Sequence, residues 1–231
     1  LAEAAVKERT MKRHLDEELT ELHKLILTMS SLTEESIARS AGALEALDKD
    51  KALAVIDEDI RVNELEVAID DKCLHLIALY QPAAQDLRFI AMAMKMCTDL
   101  ERIADLAVNI CQRVLEIADR PQLKPLIDIP RLAALAQSML RDAVDAFVNR
   151  DADLARQVIR RDDEADHLRD LVQSELINDF LRKDPSTATR AVPLILVARH
   201  LERICDHTTN IAEDVIYMVK AEFVKHHPEV L

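Results

Sequence analysis

The sequence predicts an all-α protein built as two tandem, pseudo-symmetric three-helix bundles, six long helices in all, on three observations. The first is a repeat. Glu101-Arg102-Ile103-Ala104-Asp105-Leu106-Ala107-Val108-Asn109-Ile110 recurs 101 positions later as Glu202-Arg203-Ile204-Cys205-Asp206-His207-Thr208-Thr209-Asn210-Ile211, and a near-copy at that distance implies two similar halves. The second is composition: one Gly and 7 Pro among 231 residues leave little of the turn chemistry that β-hairpins demand. The third is apolar spacing at three- and four-residue intervals, the mark of amphipathic helices.

The first helix is expected over about Val6 to Leu47, where Leu15, Leu19, Leu22, Leu25, Ile26, Met29, Leu32, Ile37, Ala41 and Leu44 form its apolar stripe. It stops near Asp48-Lys49-Asp50. A second helix, from about Lys51 to Leu79, carries Val55, Val62, Leu65, Ile69, Cys73 and Leu76 on one face. Pro82 suits the first turn of a third helix, which runs from about Ala83 to Ala118. Asp119 to Pro130 holds three prolines and no sustained pattern, so it reads as the link, with the halves at 1–120 and 128–231. The second half repeats the plan: helices from about Arg131 to Val148, Ala152 to Leu181 and Ala188 to Val224, with a break at Asp184-Pro185. Asp184 reads as an N-cap and Pro185 as the first helical residue.

On a helix advancing about 100° per residue, Glu101, Asp105 and Asn109 form one oblique row, as do Glu202, Asp206 and Asn210. Carboxylates at i and i+4 repel by roughly 0.2–0.5 kcal/mol, and a bound cation would remove that. Phe89, Ala93, Met96, Leu100, Ala104, Ala107, Cys111 and Val114 mark the core side, so the acidic row lies on the flank, bordering the core. Leu194, Leu201, Cys205, Thr208, Ala212 and Val215 place the second row alike. The second helices add their own rows, Asp59 with Asn63 and Asp162 with Asp166, at an offset of 103. Glu66 and Asp70 extend the first of these. Their counterparts Arg169 and Gln173 do not, so the two halves are not equivalent.

These carboxylates and amides are oxygen ligands, suited to Mg, Ca, Mn or Fe, with Zn also possible. Against a metal stands the plain reading that such pairs are solvated helix faces, which is commonplace for a single pair and weaker for a pair repeated in register. Glu164-x-x-His167 resembles half of a di-iron bundle motif, which needs a second copy and two further Glu. His200 and His207 are expected on the surface, and His226-His227 could chelate only adventitiously. With one glycine, Gly42, there is no phosphate-cradling loop, and no nucleophile stands beside a recognisable base; any enzyme would have to work through the acidic rows alone.

A net charge of −13 and 3% aromatics argue against nucleic acid, whose binders present basic stripes and stacking platforms. The longest apolar stretch, Phe89 to Met94, falls far short of the roughly 18 residues of a membrane span. Leu1 to Thr10 shows no secretory leader pattern. Cys73, Cys97, Cys111 and Cys205 lack CxxC spacing and fall on or beside apolar faces, as reduced core cysteines of a cytoplasmic protein would.

With Glu-Arg-Ile-x-Asp-x-x-x-Asn-Ile on the third helix of each half, the sequence resembles the PhoU family of phosphate-transport regulators. Met11-Lys12-Arg13-His14-Leu15-Asp16-Glu17-Glu18-Leu19, Gln81-Pro82-x-x-x-Asp86-Leu87-Arg88-Phe89-Ile90 and Arg199-His200-Leu201-Glu202-Arg203-Ile204 add to the resemblance. It implies a cytoplasmic, non-enzymatic adaptor between the phosphate ABC transporter, through its ATPase subunit, and a sensor histidine kinase, repressing the phosphate-starvation response when phosphate is plentiful. It also implies a homodimer, and metal clusters in some members on (Glu/Asp)-x-x-x-Asp pairs, here Glu101 with Asp105, Glu202 with Asp206 and Asp162 with Asp166. Asp59 pairs with Asn63 instead of a second acid, which implies weaker or fewer ions there. The rival reading is a metal-handling or storage bundle, and a third is a purely structural scaffold.

Overall fold

The structure, a computed structural model, describes residues 2–222 and 224. Eight α-helices and no strand form among the described residues: α1 (Ala2–Ala46), α2 (Lys49–Glu58), α3 (Ile60–Tyr80), α4 (Ala84–Ile117), α5 (Asp128–Asn149), α6 (Ala152–Arg160), α7 (Asp162–Glu175) and α8 (Ala188–Lys220). The first and third helices of each half match the expected spans closely. Asp184 caps a 3₁₀ turn at Pro185–Thr187 by accepting from Ser186 N–H at 3.0 Å.

The expected second helix is interrupted in both halves, at Asp59 and at Arg161. Asp59 keeps right-handed helical angles (φ −57°, ψ −30°), while its carbonyl takes the Val62 N–H in a tightened turn and its carboxylate takes Asn63 Nδ2 at 3.1 Å. At Arg161 the carbonyl takes the Glu164 N–H, and Asp162, Asp163 and Glu164 crowd the first turn of α7, where the helix dipole favours acids. Apolar periodicity cannot register a one-residue interruption that preserves helix direction. A π-helical segment, Leu176–Leu181, ends the second of these helices, and α8 stops at Lys220 rather than Val224. His226-His227 lies outside the described residues.

With a single glycine in the chain, helices end on left-handed non-glycine residues: Leu47 (φ 50°), Gln81 (47°), Arg150 (54°) and Ala221 (58°), a conformation that costs an L-residue roughly 1–2 kcal/mol. Leu47 and Arg150 are equivalent in the two halves. Each precedes an N-cap, Asp48 accepting from Lys51 N–H and Asp151 from Asp153 and Leu154 N–H, which offsets part of that cost.

α1 packs on α4 and α5, and α8 packs on α4 and α5, so these four helices close a square. α2 and α3 lie against α1 and α4; α6 and α7 lie against α5 and α8. The expected core faces of α4 and α8 are buried. So is a second face of each, Met92, Ile103, Leu106, Ile110 and Ile117 on α4 and Val197, Ile204, Ile211 and Met218 on α8. The two halves therefore share one continuous core. Lys95 pairs with Asp214 at 2.7 Å, Asp99 accepts from Asn210 Nδ2 at 3.4 Å, and Arg88 Nε donates to Met218 O at 3.4 Å. These contacts run up one helix as they run down the other, so α4 and α8 are antiparallel, the arrangement given by a pseudo-two-fold axis perpendicular to both helices. On the opposite side, His23 stacks on Phe89 with ring centroids 4.3 Å apart, and Phe89 meets Phe147 of α5 at 5.3 Å.

The seam corrects the reading of two histidines. His207 Nδ1 lies 2.8 Å from Asp99 Oδ1 with only 19% of its side chain exposed. His200 is partly buried, its Nδ1 has no hydrogen-bond partner, and burial and then Arg113 lower its pKa. A wheel drawn for one half alone leaves this flank in solvent; the other half covers it.

Candidate metal centre in two acidic grooves

The first groove runs between α3 and α4. Asp59, Asn63, Glu66 and Asp70 line it from one side and Glu101 and Asp105 from the other, with half-buried Asn109 one turn further along α4. The Glu101 carboxyl is raised above its usual pKa, first by burial, then by Asp105, Glu66 and Asp59. Asp59 is raised by burial and then by Asp105, and Glu66 by burial and then by Asp70 and Asp105. Acids from two helices thus press on one another. Glu101 is 16% exposed and its Oε2 is buried without a hydrogen-bond partner. Arg102 Nε stands 3.4 Å from that oxygen, near enough for attraction but not aligned to donate. Its own side chain is 57% exposed, so water screens what it supplies.

The second groove has the same plan and a different occupant. Asp162, at the start of α7, is pushed up to about 6 by burial, then by Asp206 and Asp166, and Thr209 Oγ1 donates to it at 3.4 Å. Glu202 and Asp206 are also raised, each first by burial. Arg169, standing where the first half has Glu66, reaches into the row. Its Nη1 lies 2.6 Å from Glu202, its Nη2 3.2 Å from Asp166 and its Nε 3.0 Å from Asp170. Asn210 gives its amide N–H to Asp99 across the seam, so that N–H is turned away from the row. A polar cavity of ≈ 370 Å³ opens beside Arg169, Glu202 and Asp206, lined also by Gln173, Arg199 and Arg203.

The donor chemistry of the first groove fits a hard cation: several desolvated carboxylate oxygens, mutual repulsion to relieve, and one buried oxygen with no proton to accept. Among the described residues no three or more His, Cys, Asp or Glu side chains are already gathered around one point, so these carboxylates would converge only on binding. The second groove fits less well, which reverses the ranking expected from Asn63, because the Arg169 guanidinium already neutralises Glu202 and Asp166. No soft ligand is at hand: all four cysteines are buried and unbridged, with Cys73 and Cys111 pushed up to about 12 by burial. Glu164 and His167 are exposed on α7. Sequence reading missed the reach of Arg169 and the Asp99–His207 clasp. The first was signalled only by the Arg169–Glu66 mismatch, the second only by the extra apolar positions at seven-residue spacing on α4 and α8.

The chain matches the PhoU domain twice, over residues 26–114 and 129–215. It is 40% identical to the phosphate-specific transport system accessory protein PhoU homolog of Aquifex aeolicus, over 92% of this chain and 96% of the relative. It is 34% identical to the protein of the same description from Clostridium acetobutylicum, over 92% and 97%. The crystal structure of PhoU from Pseudomonas aeruginosa superposes with a TM-score of 0.86 at 34% identity, over 90% of this chain and 99% of that one. With both repeats matched, the fold shared and identity above 30% across nearly the full length, the chain belongs to the PhoU family.

Proposed function

We propose that this chain is an accessory protein of a phosphate-specific transport system, a cytoplasmic, non-enzymatic adaptor between the transporter's ATPase subunit and a sensor histidine kinase that holds the phosphate-starvation response off when phosphate is plentiful. The transport role rests on the names and extent of the relatives. The adaptor role is what the family resemblance implies, and the docking surface proposed for it rests on one observation, the acidic groove repeated in each half with its carboxylates held at the edge of the core.

Asp59, Glu66, Glu101 and Asp105 would hold a divalent or trivalent ion, which when bound supplies charge neutralisation and a fixed positive surface. In the second groove Arg169 supplies a tethered cation in its place. Either way the two grooves present matched surfaces for a partner to dock across. Storage of metal is less well supported, because storage ligands converge inside one four-helix bundle, whereas these lie in partly open grooves of two units.

The test is repression of a phosphate-starvation reporter in a host lacking its own PhoU-type protein. The wild-type chain restores repression at high phosphate; E101A/D105A/E202A/D206A, at equal abundance and helicity, does not. Full repression by that variant would overturn the groove assignment, and failure of the wild-type chain to bind the host's transporter ATPase or kinase would overturn the adaptor reading.

A further inference from the structure

On the outer face of α2 and α3, Leu53, Ile60, Val67 and Leu74 are 46%, 58%, 61% and 58% exposed. They are seven residues apart. That spacing keeps side chains on one face of a helix with a drift of only about 20° per step. The helical backbone persists through Asp59 between Leu53 and Ile60, so the four form one apolar stripe about 32 Å long. Scattered exposed apolar residues need no explanation, but an aligned row is the mark of an interaction surface.

The repeat supplies an internal control. At the equivalent positions of α6, α7 and the segment after it, the second half has Arg156, Asp163, Asp170 and Ile177. The fold therefore does not require apolar residues on this face, since its own twin carries charges at three of the four. The flanks differ too. Asp57, Glu64 and Asp71 border the stripe on one side and Asp59 and Asp70 on the other, all placed by the same wheel. The second-half counterparts of Asp57, Glu64 and Asp71 are Arg160, His167 and Ser174. Arg61 and Lys72 lie further round α3, where Lys72 is engaged by Glu18.

We propose that this face docks an amphipathic helix of a protein partner whose apolar stripe is flanked by Lys and Arg. An apolar seam at heptad spacing is what a helix lays itself along, and acidic borders on both sides select basic flanks. A second copy of this chain is disfavoured as occupant, because two-fold apposition of α3 would bring Asp57, Glu64 and Asp71 against their own like charges. The surface shares Asp59 and Asp70 with the edge of the first groove, but the proposal needs neither the adaptor reading nor a bound ion, since Asp57, Glu64 and Asp71 supply the acidic border on the far side.

The probe is a fluorescein-labelled synthetic helix of three heptads with Leu at a and d and Lys or Arg at e and g, with the same helix carrying Glu at e and g as control. Anisotropy with the full chain, in chelator, reads binding; hydrogen exchange reads its footprint. The basic helix binds in the micromolar range and protects 53–74, and the acidic one does not bind. I60S/V67S/L74S, which leaves net charge unchanged and touches only exposed side chains, weakens binding roughly tenfold or more. D57N/E64Q/D71N, which keeps the apolar stripe, does the same. Equal binding by I60S/V67S/L74S would reduce the effect to general attraction to an acidic protein and overturn the proposal. A footprint elsewhere would overturn it as well, as would a wild-type dimer in sedimentation that the apolar triple variant abolishes, which would assign the face to a second copy.

Discussion

Asp162→Asn removes the carboxylate that the second groove perturbs most. Asp162 is raised from 3.8 to about 6. A carboxyl whose pKa is higher folded than unfolded holds its proton more tightly in the folded state. Its charge therefore opposes folding above about pH 6, and that opposition fades as pH falls toward 3.8. A shift of roughly two units corresponds to a ceiling of about 3 kcal/mol. Partial exposure screens about half of this, and losing an acid at the start of α7 gives back about 0.5 kcal/mol of helix-dipole attraction. The asparagine keeps an Oδ1 for the Thr209 hydroxyl. D162N should therefore raise stability by about 1 kcal/mol at about pH 8, a Tm rise of roughly 2–4 °C, and change little at about pH 4.5. Urea unfolding at both pH values, in chelator, reads this. Equal effects at the two pH values, or a loss at the higher one, would refute the desolvation argument.

Arg169→Glu restores in the second groove the carboxylate that Glu66 provides in the first. It should destabilise the metal-free chain by about 1–3 kcal/mol, since a partly buried pair is broken, and raise the Mn²⁺ stoichiometry in calorimetry by one ion per chain. Asp99→Ala strips His207 and Asn210 of their partner across the α4–α8 seam, at a cost of about 1–2 kcal/mol in urea unfolding. The four thiols, buried and raised in pKa, should resist iodoacetamide in the native protein near neutral pH and all react in urea.

The all-α class, the repeat and the core faces of α4 and α8 were legible because each is a property of one helix at a time. Phe89, Leu100 and Val114, or Leu201 and Val215, declare their side by spacing alone. The seam was not legible, because it depends on which helix meets which. Ile103, Ile110 and Ile117 on α4, with Val197, Ile204, Ile211 and Met218 on α8, make each helix apolar on two faces, and a wheel drawn around one core treats the second as fringe. His200 and His207 were misplaced for that reason. The rows on Glu101 and Glu202 could be placed beside the core from the wheel. That Arg169 would reach Glu202 could not be, since a long flexible side chain has many rotamers and only the folded groove selects one. The breaks at Asp59 and Arg161 leave the apolar period intact and so leave no trace in it.

Anomalous diffraction from crystals of the untagged chain grown with Mn²⁺ tests the groove assignment most directly. An anomalous peak is expected in the groove between α3 and α4, with oxygens of Glu101 and of Asp59, Glu66 or Asp105 drawn onto it, and lower occupancy in the Arg169-filled groove. A fully occupied peak beside Arg169 with none at Glu101, or manganese held only at His226-His227, would contradict that assignment.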